Sequence, residues 1–196
     1  QRRLDEVTAL YAFAQQMTTS LNMHEVLDST VYSLRQVLDC RSVNIWLATP
    51  DGQALEIYTA TGMKDKWKDV ARLRWGEGVA GQVALTGKPL YVPDTHTIDY
   101  IFFDQVVRSL LCVPLIIHDR VIGALTVDHD RPNAFPHEDE RVLIIAAAQA
   151  AVAIENARLY HDLQERAQRL EKAYADLQEV DRLKDELVQN VSHELR

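Results

Sequence analysis

From Glu138 to the last residue, Arg196, the chain contains neither glycine nor proline, the two residues that most readily interrupt a helix. An alanine-rich run, Ala146–Ala157, opens this part and suits close packing of a helix. Apolar residues then recur at alternating spacings of three and four, which places them in one stripe of a helix. We therefore predict a long helix whose stripe packs against the same stripe of a second chain. The predicted dimer seam consists of Tyr160, Leu163, Ala167, Leu170, Tyr174 and Leu177.

The apolar pattern before residue 138 divides the chain into further segments. Residues 1–20 have apolar positions on more than one helical face, which predicts a helix with an additional packing partner. Asn22 followed by Glu25 resembles a capping box that begins a second helix. We predict an N-terminal signalling or dimer helix at 1–20, a folded domain at 21–160, a coiled-coil linker at 161–182 and the start of another helical unit at 183–196.

Two stretches within the folded domain change to a period of two. Residues 42–60 alternate around the turn at Pro50, Asp51 and Gly52, and residues 109–127 form two apolar runs around His118 and Asp119. Both patterns predict hairpins. With helices at both ends, the sequence indicates an α+β fold with an antiparallel sheet.

Charge and cysteine content exclude several classes of protein. The net charge is −8, which argues against binding to nucleic acid through a basic surface. The two cysteines, Cys40 and Cys112, are far apart in the sequence, and no metal-ligand spacing is present, which suits a reducing compartment. The longest apolar run, Leu143–Ile154, falls short of the roughly 20 residues that span a bilayer. We expect a cytoplasmic fragment of a larger protein, without metal or membrane contact in this part.

Four linked segments resemble GAF domains. They are Trp75–Leu90, Ser109–Leu115, Val121–Leu125 and Phe135–Tyr160, within a resemblance that covers roughly residues 20–160. The resemblance implies five or six antiparallel strands backed by helices, with a ligand cavity under loops on the other face of the sheet. It also implies a list of pocket candidates: Tyr91, Asp94, Tyr100, Phe102, Phe103, Leu110 and Thr126.

The last seven residues, Asn190–Arg196, resemble the phosphoacceptor box of sensor histidine kinases. His193 lies about 200° round a helix from Val191, so its imidazole is expected to face solvent. The resemblance implies that His193 accepts a phosphoryl group, with Glu194 as its acid or base. It further implies a response regulator as partner, and ATP and Mg²⁺ on a kinase domain. Because residues 1–196 contain no recognisable nucleotide-binding loop, we expect no kinase activity from this chain alone.

Known GAF ligands fit the sequence poorly. The cyclic-nucleotide pattern is retained at Phe135, Asp139 and Glu140, but Asp128-His129 stands where that pattern has Asn-Lys. Cys40 and Cys112 lie in apolar surroundings, which suits small core residues better than bilin attachment. His96 is the histidine nearest the expected pocket mouth, and a loop histidine is usually solvated. We expect neither haem nor bilin, and no ligand is named by the sequence.

Two functional alternatives differ from ligand sensing. In the first, the pocket aromatic residues fill their own cavity, and the domain is a ligand-free dimerisation spacer. In the second, the chain is a small-molecule enzyme, which requires convergent acid, base or nucleophilic groups that the sequence does not show. The sequence favours a sensory GAF module of a two-component histidine kinase.

Overall fold

The computed structural model describes residues 23–62, 71–98 and 106–194, with side chains in the last range described as far as Val180 apart from positions 175 and 179. The predicted helix at 1–20 therefore lies outside the described residues. The chain divides into two compact units, residues 1–156 and 157–196.

The centre of the first unit is a six-stranded antiparallel sheet. The strands are β1 (Ser42–Ala48), β2 (Ala54–Thr61), β3 (Arg72–Arg74), β4 (Leu90–Val92), β5 (Ser109–Ile117) and β6 (Arg120–His129). Their order in the sheet is β3-β2-β1-β6-β5-β4, which confirms the predicted α+β fold with five or six strands.

Local turn chemistry fixes the two hairpins where the sequence predicts them. Gly52 has φ of 68°, and its N–H donates to the carbonyl of Thr49, closing the β1–β2 turn. His118 and Asp119 both have positive φ, at 46° and 63°, as a tight turn between twisted strands requires. Strand β3 was not predicted, because only Leu73 of its three residues is buried and so little alternation is visible.

Two helices cover one face of the sheet, which we call the α1/α3 face. Helix α1 (Met23–Val37) contributes buried residues such as Leu27 and Leu34, and helix α3 (His137–Glu194) contributes Leu143 and four alanines. Five buried residues of β5 and β6 complete this apolar layer: Leu111, Val113, Leu115, Leu125 and Val127. The alanine-rich run thus packs closely against the core, as its small side chains predict.

The opposite face, which we call the α2 face, is covered by helix α2 (Gly78–Thr86). Val83 of this helix packs with Val92, Cys112 and Ala124. Gly81 is required at the start of the helix, because a side chain there would overlap the carbonyl of Arg74. The glycine-rich segment therefore forms a helix seated closely on the strand before it.

Helix α3 continues without interruption through residue 194, which confirms the predicted long C-terminal helix. The described residues of the predicted seam are exposed, and the exposed fractions of the large side chains among them run from 41% at Tyr160 to 72% at Leu170. The part of α3 between His137 and Gln178 contains a stretch with a mean hydropathy of 1.5, which is apolar and long enough to cross a membrane. Core helices of soluble proteins reach the same length and hydropathy.

Candidate functional site

A buried row of polar side chains crosses the α2 face at the centre of the sheet. Strands β1 and β6 pair so that Ser42 stands opposite Asp128 and Asn44 opposite Thr126. We call these four residues the polar row. Each is at most 4% exposed, and each alternates with an apolar residue that packs on the α1/α3 face. Polar groups buried this deeply need hydrogen-bond partners, because their hydration is lost.

The carboxylate of Asp128 is satisfied at one end of the row. Arg41 Nε donates to Asp128 Oδ1 at 2.9 Å, and Ser42 Oγ donates to Asp128 Oδ2. The Asp128 carboxylate and the Arg41 guanidinium form a partly buried ion pair, because 21% of the Arg41 side chain is exposed to solvent. Asp128, which stands where the cyclic-nucleotide pattern has Asn, is therefore held by Arg41 and Ser42.

The amide of Asn44 is only half satisfied. Its Nδ2 donates to Thr126 Oγ1 at 3.3 Å and to Ser42 Oγ at 3.4 Å, while Trp46 Nε1 donates to the same Thr126 oxygen at 3.3 Å. Among the described residues, nothing donates to the buried Oδ1 of Asn44. An unpaired buried oxygen costs about 1–3 kcal/mol, so Asn44 Oδ1 has unused capacity to accept a hydrogen bond.

The surroundings of the polar row are apolar and chemically quiet. Cys112 is fully buried beside Ala124, and burial raises the pKa of its thiol well above the ordinary value. Burial, assisted by the Asp128 carboxylate, raises the pKa of Cys40 to about 12. Neither thiol is a ready nucleophile, because the thiolate is the reactive form. Their burial agrees with the role of small apolar core residues.

Asp94, a predicted pocket residue, anchors a loop. Its carboxylate accepts from Arg108 Nε at 3.2 Å and from Arg108 Nη2 at 2.9 Å. It also accepts from the N–H of His96 at 3.1 Å and thereby caps the short 3₁₀ helix Thr95–Thr97. Hydrogen bonds from Arg108 hold the pKa of Asp94 below its ordinary value. Next to this pair, Thr95 Oγ1 donates to the carbonyl of Val107 at 2.7 Å.

Tyr91 and Thr126, grouped by the sequence in one pocket, lie on opposite faces of the sheet. Tyr91 pairs with Leu111, whose side chain belongs to the α1/α3 core, whereas Leu110 and Thr126 belong to the α2 face. The ring of Tyr91 meets that of Phe135 edge to face, with centroids 6.4 Å apart. The grouping failed because Leu90, Tyr91 and Val92 are all apolar, so nothing in the run shows which residue points to which side.

The remaining predicted residues divide by location. Tyr100, Phe102 and Phe103 lie outside the described residues. His193 and Glu194 lie in the last turn of α3, and the predicted orientation of their side chains also lies outside what is described. His96 is exposed on its loop. Within residues 23–62, 71–98 and 106–194, no three His, Cys, Asp or Glu side chains come together as a metal site.

The polar row was not predicted as a unit, although a signal for it exists. Ser42, Asn44 and Trp46 alternate with Val43 and Ile45, and the hydrogen-bonding side chains of the first series indicate that one face of β1 is polar. The sequence does not show which residues of β6 stand opposite those of β1. Only the structure shows that Thr126 and Asp128 complete the row.

Comparison with known proteins identifies the family. The GAF domain family model matches residues 22–154. The Nif-specific regulatory protein of Azospirillum lipoferum is 26% identical over 153 residues, which cover 72% of this chain and 24% of that protein. The circadian input-output histidine kinase CikA of Thermosynechococcus vestitus is 31% identical over 102 residues, 46% of this chain and 14% of the kinase.

Solved structures share the fold. The GAF domain of an Acinetobacter phosphoenolpyruvate-protein phosphotransferase superposes with a TM-score of 0.72 at 22% identity, and the match covers 80% of this chain and 95% of that domain. The chain spans less than a quarter of either relative compared by sequence. With the family matched over residues 22–154 and a six-stranded sheet between its helices, this chain belongs to the GAF domain family of sensory and regulatory domains.

Proposed function

We propose that this GAF domain is the sensory module of a two-component histidine kinase and relays its signal through helix α3 to His193. The observation that carries the proposal is the continuity of α3. One helix contains Leu143, which is fully buried in the GAF core, and the segment from Asn190 that resembles a phosphoacceptor box. The similarity to part of a circadian input-output histidine kinase also supports this function.

The signal in this proposal is a small molecule bound at the α2 face. Its hydrogen-bond donor pairs with Asn44 Oδ1. The same strands carry Val43 and Leu125 on their other side, beneath α1 and α3. Because interiors are close-packed, displacement of these strands moves the helices that rest on them.

The relay requires a parallel homodimer. Leu163 and Leu170 are 65% and 72% exposed, and such a stripe of large apolar side chains is stabilised when an equivalent stripe covers it. Hydrophilic contacts flank it, since Glu165 accepts from Arg169 at 2.9 Å and lies 3.3 Å from His161. Dimerisation in the cytoplasm would bring two copies of the His193 segment together.

The chemistry at His193 is phosphoryl transfer. An imidazole nitrogen attacks the γ-phosphorus of ATP, a P–N bond forms, and the bond to the β–γ bridging oxygen breaks so that ADP leaves. The imidazole proton passes to the Glu194 carboxylate. ATP and Mg²⁺ are supplied by a kinase domain, and the phosphoryl group passes on to a response regulator.

Phosphorylation of the full-length protein tests the proposal. Incubation with γ-labelled ATP is expected to give an acid-labile label, as a phosphoramidate is. His193→Gln should remove the label, whereas His161→Gln, a histidine exposed on the same helix, should retain it. Persistence of the label in His193→Gln would show that the phosphoacceptor is another residue.

The dimer is tested separately by analytical ultracentrifugation of this chain. We expect a dimer at micromolar concentration, and Leu170→Asp should shift it toward monomer without unfolding the GAF core. A monomeric wild-type chain would contradict the relay. Gln168→Asp, an exposed neighbour outside the seam, is the matched control.

A further inference from the structure

A cavity lies on the α1/α3 face, where β4 and β5 meet the first turn of α3. Its volume is about 160 Å³, about five times the volume of one water molecule in the liquid. Tyr91 and Leu111 stand side by side in paired strands at its base, so it is separated from the polar row by the sheet itself. The lining residues are Tyr91, Leu111, Phe135, Pro136, His137 and Glu140.

The walls of the cavity are aromatic and apolar. The rings of Tyr91 and Phe135 are nearly perpendicular, at 80°, and Leu111 is fully buried beneath them. Aromatic ring faces are electron-rich and attract a cation, most strongly one that is weakly hydrated. A small inorganic ion would lose its hydration shell against these walls, because they offer few oxygen ligands.

The rim of the cavity is negatively charged. Glu140 lies at the mouth, with its carboxylate 3.6 Å from His137 Nδ1 and its side chain 31% exposed. Glu138 and Asp139 add two more carboxylates to the same helical turn. The positive end of the helix dipole opposes a cation here, and these acidic side chains offset it.

We propose that this cavity binds a small organic cation, a quaternary or tertiary ammonium group. Aromatic walls with a carboxylate at the rim suit such a group in both charge and size. The bound cation would connect Tyr91 of β4 with Glu140 of α3 and so restrain the start of the long helix. The inference does not depend on His193 or on any ligand of the α2 face.

Nuclear magnetic resonance titration of the purified chain tests this site. Choline chloride is added against sodium chloride of equal ionic strength, and the signals of Tyr91, Leu111 and Phe135 are followed. We expect saturable shifts confined to the cavity. The neutral isostere 3,3-dimethylbutan-1-ol has the same shape without the charge and should bind at least about tenfold more weakly.

A charge-removing variant provides the second arm. Glu140→Gln keeps the shape of the side chain and should weaken choline binding about tenfold. Glu171→Gln, an exposed glutamate in the second unit, should leave binding unchanged. Phe135→Leu should also weaken binding, provided that its spectrum shows an intact fold. Absence of shifts with choline, equal shifts with the alcohol, or unchanged affinity in Glu140→Gln would each overturn the proposal.

Discussion

The two faces of the sheet are made by the same strands but are built differently. On the α1/α3 face, residues such as Leu27, Ile45 and Leu143 are fully buried among other apolar side chains. On the α2 face, the centre of the sheet carries the polar row, including a buried oxygen of Asn44 for which the described residues supply no donor. Alternation along β1 and β6 therefore gives the two faces different contents: one is an apolar core, and the other carries hydrogen-bonding groups beside a second apolar cluster.

The largest expected effect tests the α1/α3 face. Leu143→Ala removes a fully buried side chain and should lower the free energy of unfolding by about 2–5 kcal/mol, because apolar contacts are lost and a cavity remains. Urea denaturation measures the change. Ile145→Ala, which is 48% exposed on the same helix, should change stability much less. Equal losses in the two variants would contradict the assignment of the core.

The ion pair at the end of the polar row should give the next largest effect. Asp128→Ala leaves Arg41 and Ser42 without their carboxylate, and we expect a loss of about 2 kcal/mol, less than for a fully buried pair because Arg41 still reaches water. Asp162→Ala is the control, since that side chain is exposed. Indistinguishable urea midpoints for the two variants would show that the pair contributes nothing.

A smaller effect is expected at the half-satisfied amide. Asn44→Val removes the unpaired oxygen together with two long hydrogen bonds, so the free energy of unfolding should stay within about 1 kcal/mol of the wild type. If denaturation shows this near-neutrality, the amide is not required for the fold, which sharpens the contrast with Leu143. A loss as large as that of Leu143→Ala would remove the contrast.

The smallest effect concerns the loop anchor and depends on pH. The pKa of Asp94 is lowered in the folded protein by Arg108, so its stabilisation is present above its ordinary pKa and is lost as pH falls through the lower folded value. The difference in melting temperature between wild type and Asp94→Asn should therefore be constant near neutral pH and shrink in acid. Thermal melts between about pH 7 and about pH 2 measure this. A difference that grows in acid would contradict the assigned direction.

The two faces were also unequally predictable from the sequence. Periods of two in 42–60 and 109–127, and the absence of Gly and Pro after residue 138, were sufficient for the hairpins and the long helix. The local pattern does not reveal the register between paired strands. Pairing between residues far apart in the chain decides that Asn44 stands opposite Thr126 and that Tyr91 shares a face with Leu111.

The candidate site was predicted in part for the same reason. Asp94 was placed among the pocket residues because the resemblance to GAF domains implies it, yet both of its carboxylate oxygens accept hydrogen bonds from Arg108. The partner lies 14 positions away and carries no local signal. Leu110 and Thr126 do lie on the face where the resemblance places a cavity.

The burial of both cysteines has a practical consequence for chemical labelling. The sequence holds only Cys40 and Cys112, and both thiols are shielded from solvent with raised pKa values. Thiol reagents react with accessible thiolates, so we expect them to leave the two native cysteines unlabelled. A cysteine introduced at position 163 or 170 would then be the reactive thiol. In the proposed dimer, the yield of disulfide-linked chains at each position would report the register of the two α3 helices.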